Sequence, residues 1–194
     1  MACPHLLTAQ NKSPGNVTMQ ILPAELPDLT ACYKMTASYT TDYVWQLQTL
    51  NNGTRTDIRF DRVRLPRPMQ VEYPRSPDEL LDHWEANGCF LVARNPQDEV
   101  IGYLDAEAQP WEKILWVRNL VVDKPYRRRQ TGSALLNSAR RWAIEHGLSQ
   151  LMLEMQTKNW PAIAFAQKHG FLFCGFNERY YTNGDITLYF AHNL

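Results

Sequence analysis

The sequence has little of what marks several large protein classes. No apolar run approaches the roughly 20 residues that a membrane span needs, so no membrane partner is expected. Its four cysteines, Cys3, Cys32, Cys89 and Cys174, are scattered with no C-x-x-C spacing. Neither a disulfide framework nor a zinc site follows, no metal is expected, and a reducing, cytoplasmic compartment fits best. Charge of one sign is missing too. Twenty Lys and Arg balance twenty Asp and Glu over 194 residues, for a formal net charge of zero. A protein that coats nucleic acid needs an excess of positive charge, so nucleic acid is not the expected partner. The N-terminal stretch "MACPHLLTAQNKSPGN" lacks the basic start and apolar core of a secretory signal. It reads as a polar extension over 1–18, ahead of one domain spanning 19–194. There is no internal repeat and no low-complexity tract.

What is present is an alternation of strand and helix signals. Residues 19–23 read as a short strand. Pro27-Asp28 then announces a helix over 28–39, with Leu29, Cys32, Met35 and Tyr39 near helical spacing. "VWQLQTL" and "TRTDIRFDRVRL" flank the hairpin signal Asn51-Asn52-Gly53 and form an exposed ribbon marked by Asp57, Arg59, Asp61 and Arg62. "PRPMQVEYPRSP" is proline-rich and extended. A helix over 77–86 closes at Asn87-Gly88. "CFLVAR", "EVIGYLDAEA" and "ILWVRNLVV" make an antiparallel meander, followed by a loop and a helix that runs to His146-Gly147. "LMLEMQ" is a further core strand, "NWPAIAFAQKHGF" a short helix with Pro161 in its first turn, and "FLFCGFN" and "DITLYFAHN" are closing strands. The fold class is α+β, a mixed and mostly antiparallel sheet flanked by helices.

The stretch "YRRRQTGSALLNSARRWA" is the most informative. Leu135, Leu136, Ala139 and Ala143 share one helical face and belong to the core. The loop before them leaves an apolar strand at Leu120, Val121 and Val122, passes three arginines, and starts a helix near Gly132. Backbone N–H groups at such a start, with the positive end of the helix dipole behind them, form an anion site. The alternative use of the run is a solvated basic loop. A Walker loop is excluded, because G-x-x-x-x-G-K-[ST] is absent.

Read together, "NLVVD", "PYRRRQTGSALL" and "LMLEMQTKNWPAIAFAQKHGF" resemble the GCN5-related N-acetyltransferase (GNAT) superfamily over residues 115–176. The family's Arg/Gln-x-x-Gly-x-Gly/Ala loop is read on Arg127 to Gly132, and its Asn-x-x-Ala-x-x-x-Tyr-x-x-x-Gly-Phe motif on Asn159 to Phe171. Within the superfamily the chain looks most like the streptothricin acetyltransferases. The resemblance implies the GNAT fold and acetyl-CoA as co-substrate. It further implies that the Arg127, Arg128, Arg129, Gln130, Thr131, Gly132 and Ser133 loop holds the pyrophosphate of coenzyme A, with backbone N–H groups of 128–133 as donors. Leu120, Val121 and Val122 would pair with the pantetheine arm as a pseudo-strand, and Asn159 would reach it from the next helix. Two positions depart from the pattern. Gln130 replaces the loop's first glycine, which costs roughly 1–2 kcal/mol if the position needs positive φ. Ala166 stands where the family often carries a tyrosine that protonates the leaving thiolate.

Transfer to an amine requires a deprotonated ammonium and an accommodated thiolate. Glu154 stands five residues before Asn159, where related enzymes carry a catalytic glutamate; the competing role is a carboxylate on a solvent-facing strand. The oxyanion could be held by a main-chain N–H near Val122. Tyr180 and Tyr181 are stand-ins for the missing acid, or packed aromatics, so Glu154 and Tyr181 are the catalytic candidates. Cys174 reads as a small core residue, and His146 and His169 as cations suited to helix ends. Residues 39–74, with Tyr39, Tyr43, Trp45, Phe60, Tyr73, Asp42, Asp57 and Asp61, would make an aromatic and acidic acceptor wall for a small cationic amine. An aromatic-stapled ribbon or a homodimer contact is the other use of that stretch. The rival function is an acyl-CoA-binding module that senses or scaffolds without turnover.

Overall fold

The computed structural model describes residues 19–86 and 88–194. The extension of residues 1–18 and the Asn87 half of the predicted helix stop lie outside the described residues. In chain order the first elements are β1 (Gln20–Pro23), α1 (Asp28–Lys34), β2 (Tyr39–Asn51), β3 (Thr56–Val71), α2 (Leu80–Glu85), β4 (Cys89–Arg94) and β5 (Val100–Gln109). They are followed by β6 (Ile114–Val122), α3 (Thr131–Glu145), β7 (Gln150–Gln156), α4 (Trp160–Lys168), β8 (Leu172–Asn177) and β9 (Thr187–Asn193). The α+β class and the mostly antiparallel pairing are as the sequence implies. The chain divides into two compact units: the part up to Ala37 with Ser76–Leu151 and Asn193–Leu194, and Ser38–Arg75 with Met152–His192.

In the first unit the strand order is β1-β4-β5-β6, each pair antiparallel. Along β6 the burial alternates strictly, with Leu115, Val117, Asn119 and Val121 inside, as a pleat with one covered face requires. The central strand β5 is buried from Ile101 to Ala106, because α1, α2 and α3 all pack against it. α3 buries Leu135, Leu136, Ala139 and Ala143, the face its spacing predicts.

In the second unit β2 and β3 form a long ribbon, and β9 pairs antiparallel with β8, which ends the sheet. Trp45 and Phe60 of the ribbon interlock with Phe173 and Phe190 at ring separations of 5.3–5.9 Å. The hairpin turn falls where Asn51-Asn52-Gly53 predicts. Asn52 Oδ1 accepts from the N–H groups of Thr54 and Arg55, and Gly53 takes φ 88°.

Three predicted boundaries need correction. The helix read over 28–39 stops at Lys34: Met35 is extended and Tyr39 opens β2, paired with Val71. Cross-strand pairing has overridden a helical spacing that depended on Tyr39. The ribbon strand read as ending at Leu65 runs on through the extended, proline-rich stretch as far as Val71. Thr41 faces Met69 while Tyr43 faces Arg64, so Leu65–Pro68 bulge out opposite Asp42, and Pro66 and Pro68 sit where the ladder needs no N–H. The helix read over 77–86 begins as a 3-10 turn over Pro77–Glu79, capped by the Ser76 hydroxyl, and is α-helical only over Leu80–Glu85.

Candidate active site

In the first unit, the chain leaving β6 is built to present backbone. Asp123 caps a 3-10 turn over Lys124–Tyr126, its carboxylate accepting from the Lys124 N–H at 2.9 Å. Arg127 then turns inward: Nε donates to the Val122 carbonyl at 2.8 Å and Nη2 to the Thr36 carbonyl at 2.6 Å. Burial pulls its pKa down, with Asp123 opposing. Of the three arginines expected to meet phosphates, Arg127 is therefore a loop anchor, while Arg128 and Arg129 are exposed.

The backbone after it alternates. Arg128 has φ 62° and Gln130 φ 68°, both in the left-handed region that costs a residue with a Cβ roughly 1–2 kcal/mol. The glycine-to-glutamine departure thus falls at a position that does need positive φ. Such alternation turns successive N–H groups toward one concavity, and here it feeds the first turn of α3. No side chain of Gln130 caps that turn and no acidic residue lies in it, although a helix start favours negative charge. Thr131 is buried, its hydroxyl reaching the Tyr126 carbonyl at 3.4 Å, and Gly132 and Ser133 are half-buried. Gly102 of β5 brings the neighbouring backbone close, since a Cβ there would meet the Val121 carbonyl oxygen at 2.9 Å and Thr131 Cγ2 at 3.4 Å. Val121 is buried, and Leu120 and Val122 are half-buried beside it. Concave N–H groups, a helix start without its own anion and two exposed guanidiniums fit a pyrophosphate.

In the second unit, Glu154 of β7 is not a solvent-face carboxylate. Its side chain is 1% exposed and pairs with Arg75. Arg75 Nε donates to Glu154 Oε1 at 3.1 Å and Nη2 contacts the same oxygen. The Tyr180 hydroxyl donates to Oε2 at 2.9 Å, and Arg75 Nη2 lies 3.0 Å from that hydroxyl. The three groups form a closed ring. Burial, the largest influence on Arg75, opposes its charge, but Glu154, with Tyr180 and Tyr73, outweighs it and holds the guanidinium above its usual range. Sequence reasoning missed Arg75. It lies 79 residues from Glu154, in a loop with no periodicity to announce it.

The other candidates sort by contact. Tyr181 is buried, accepts from the Thr187 hydroxyl at 3.4 Å, and has its pKa pushed up by burial; the hydroxyl that reaches Glu154 belongs to Tyr180. Tyr39 donates to Gln156 Oε1 at 2.8 Å, and Gln156 Nε2 in turn donates to Asp185, which also pairs with Lys158. Tyr43 and Trp160 stand 5.7 Å apart with the Arg62 guanidinium 5.2 and 5.0 Å from their rings. Asp57 and Asp61 are engaged by Arg55 and Arg59, while Asp42, the third acid of the predicted wall, is exposed. Tyr73 is half-buried near Arg75. Asn159 caps α4, its Oδ1 accepting from the Ala162 N–H at 3.1 Å. Ala166 is fully buried, so no ring is missing from an open cleft. Cys174, expected in the core, is exposed on β8. His146 stacks on Trp142 at 3.7 Å and donates from Nδ1 to that residue's carbonyl at 2.7 Å, and His169 packs on Phe165. Among the described residues no three His, Cys, Asp or Glu side chains gather to hold a metal, and no helix is long and apolar enough to cross a membrane.

A family model described as the acetyltransferase (GNAT) family matches residues 60–171. The chain is 36% identical to streptothricin acetyltransferase A of Bacillus subtilis (strain 168) over 132 residues, 68% of this chain and 73% of that protein. It is 23% identical to streptothricin acetyltransferase of Streptomyces lavendulae over 182 residues, 90% and 94% of the two chains. Among solved structures, nourseothricin acetyltransferase matches with a TM-score of 0.77 at 23% identity, covering 90% of this chain and 98% of that one. A Bacillus anthracis str. Ames protein in complex with acetyl coenzyme A matches with a TM-score of 0.71 at 22% identity, covering 91% and 100%. These structural likenesses establish the fold.

Proposed function

We propose that this chain, which belongs to the GNAT acetyltransferase family and is an N-acetyltransferase, transfers the acetyl group of acetyl-CoA to the primary amine of a small cationic acceptor. The observation that carries the cofactor half is the loop from Arg127 to Gly132. Two residues with side chains are held at positive φ before a 15-residue helix that has no acid in its first turn. Strain of this kind persists where a bound group uses it, and the group that suits it is an anion.

Bound acetyl-CoA would supply a thioester whose acyl carbon is open to attack. The N–H groups of Arg128 to Ser133 would hold its pyrophosphate, the Arg128 and Arg129 side chains would meet its phosphates, and Leu120 to Val122 would hydrogen-bond the pantetheine arm. Asn159 already spends its Oδ1 on α4, so any contact to the arm would come from its Nδ2. A main-chain N–H near Val122 would polarise the thioester carbonyl.

An amine with a pKa near 10.4 arrives protonated. Both oxygens of Glu154 are already engaged, so the carboxylate acts through Tyr180: the hydroxyl takes the ammonium proton while passing its own to Oε2. The proton held on Glu154 can return by the same route to the departing thiolate, whose pKa near 8.5 makes protonation on departure helpful rather than essential. That tolerance fits the buried alanine at position 166. The Tyr43 and Trp160 rings hold the Arg62 guanidinium, which supports an aromatic surface suited to cations.

The relatives' names make streptothricin the first acceptor to try, beside a panel of simple amines and polyamines. Coenzyme A release with acetyl-CoA should occur with at least one cationic amine and be lost in Gly132→Asp, which sets a carboxylate where the pyrophosphate belongs. If acetyl-CoA raises the melting temperature but no amine gives release, the reading as an acyl-CoA-binding module takes its place. No shift at millimolar acetyl-CoA would end both readings.

A further inference from the structure

A second buried polar cluster lies in the first unit, and neither the phosphate cradle nor the Glu154 ring uses it. Asp105 of β5 is 2% exposed, a burial that a carboxylate rarely accepts unless paired. Its Oδ2 receives both partners: the Asn119 amide at 2.7 Å from β6 and His83 Nδ1 at 3.0 Å from α2. Facing a carboxylate, which only accepts, Nδ1 carries the hydrogen. The Cys32 and Cys89 thiols and the Tyr103 hydroxyl also feel the charge, and burial holds all three protonated. Among the described residues, Oδ1 has no hydrogen-bond partner.

A half-satisfied buried carboxylate costs stability, and well-packed apolar side chains in place of the whole Asp105–Asn119–His83 cluster would hold the fold at least as well. Stability therefore does not explain the residue, but its position does. The β5–β6 ladder pairs Gly102 with Val122, Tyr103 with Val121, Leu104 with Leu120 and Asp105 with Asn119, and then resumes at Ala106 with Val117. Arg118 is the extra residue of a β-bulge. Asp105 and Asn119 are the last matched pair before the register breaks, on the side that leads into Leu120–Val122. A slip of one residue there would turn every following side chain and N–H to the opposite direction. At the other end of the segment the close approach of Gly102 to Val121 and Thr131 fixes the spacing.

We infer that Asp105, gripping Asn119 and braced by His83, is a positioning residue that locks the β6 bulge at Arg118 and so sets the phase of the backbone that receives acetyl-CoA. The inference rests on the cofactor reading of Leu120–Val122. Initial rates with acetyl-CoA varied at saturating acceptor test it, together with melting temperatures. Asp105→Leu should raise the KM for acetyl-CoA about tenfold, the scale of a sub-ångström misplacement, with kcat within about twofold, and should lower the melting temperature because the Asn119 and His83 donors lose their acceptor. The exchange Asp105→Asn with Asn119→Asp rebuilds the amide-to-carboxylate bond in the opposite sense and should return KM to near the wild-type value. An unchanged KM in a folded Asp105→Leu variant, or an exchange variant as impaired as the single one, overturns the proposal. Should Asp105→Leu fail to fold, the exchange variant decides alone, and a tenfold KM defect in it overturns the proposal. Gly132→Asp separates the two readings. If it binds acetyl-CoA like the wild type, the cofactor reading falls and takes this one with it; if it does not, an unchanged Asp105→Leu sinks only the present inference.

Discussion

Glu154 shows how two neighbours change what a residue can do. As an isolated carboxylate it would be an open base, but Arg75 engages one oxygen and Tyr180 the other, so in the proposed mechanism it relays a proton through Tyr180. Glu154→Gln keeps the shape and removes the proton acceptor, so turnover should fall by about 10²–10⁴ while acetyl-CoA binding persists. The same change leaves the Arg75 charge buried without its counter-ion, at a cost of about 3–5 kcal/mol; rates must therefore be compared well below the variant's own melting temperature. Tyr180→Phe is the cleaner probe. It leaves the Arg75–Glu154 ion pair in place and removes two hydrogen bonds to charged groups, each worth about 1.5–3 kcal/mol, and should slow turnover by a similar factor. A Tyr180→Phe enzyme that turns over at the wild-type rate would take Tyr180 out of the proton path.

At the scale of elements, α4 joins a structural task to a proposed functional one at a single position. The Asn159 side chain ends the helix by accepting from the Ala162 N–H, and Pro161 follows within the first turn. Asn159→Ala should lower stability by about 1 kcal/mol through loss of the cap. Asn159→Asp keeps an accepting oxygen and places a negative charge at the helix start, which is favourable, but it loses the amide N–H. A stable Asn159→Asp enzyme with a raised KM for acetyl-CoA would assign the amide to the cofactor; an unchanged KM would leave Asn159 as a cap alone. α3 meets the opposite condition, with an uncapped first turn behind two strained residues, and this contrast between the helices is what singles out the Arg127–Gly132 loop.

For the molecule as a whole, stability should fall in alkali, first through the buried thiols and at higher pH through the buried Tyr39, Tyr103 and Tyr181 hydroxyls as well. Burial, with Asp28 adding to it, pushes the Cys32 thiol from its ordinary 9.0 to about 12, and burial pushes Cys89 up further. Unfolding returns both to the ordinary range, so above about pH 9 the unfolded chain holds fewer protons than the folded one, and stability falls as pH rises toward 12. The melting temperature should decline steadily between about pH 9 and pH 11. Cys32→Ala should start from a lower melting temperature, through the cavity it leaves, but show a shallower decline. An equally steep decline would mean that other groups carry the alkaline dependence.

What the sequence by itself determined is what adjacency and periodicity encode. The α3 face of Leu135, Leu136, Ala139 and Ala143 and the turn at Asn51–Gly53 each depend on residues within a turn or two of one another, where backbone geometry fixes which side chains share a face. The Arg127–Gly132 loop was legible for the same reason, as a strand, a loop and a helix start in succession. The tertiary structure alone decided the rest: that Arg127 turns inward to the Val122 and Thr36 carbonyls, that Arg75 closes on Glu154 across 79 residues, that Tyr180 rather than Tyr181 reaches that carboxylate, and that Asp105 is buried against Asn119 and His83. An ion pair or a buried hydrogen bond between distant segments leaves no period in the chain. It is chosen by which strands lie side by side and by the need to satisfy each polar group they bury, and neither exists until the strands have packed.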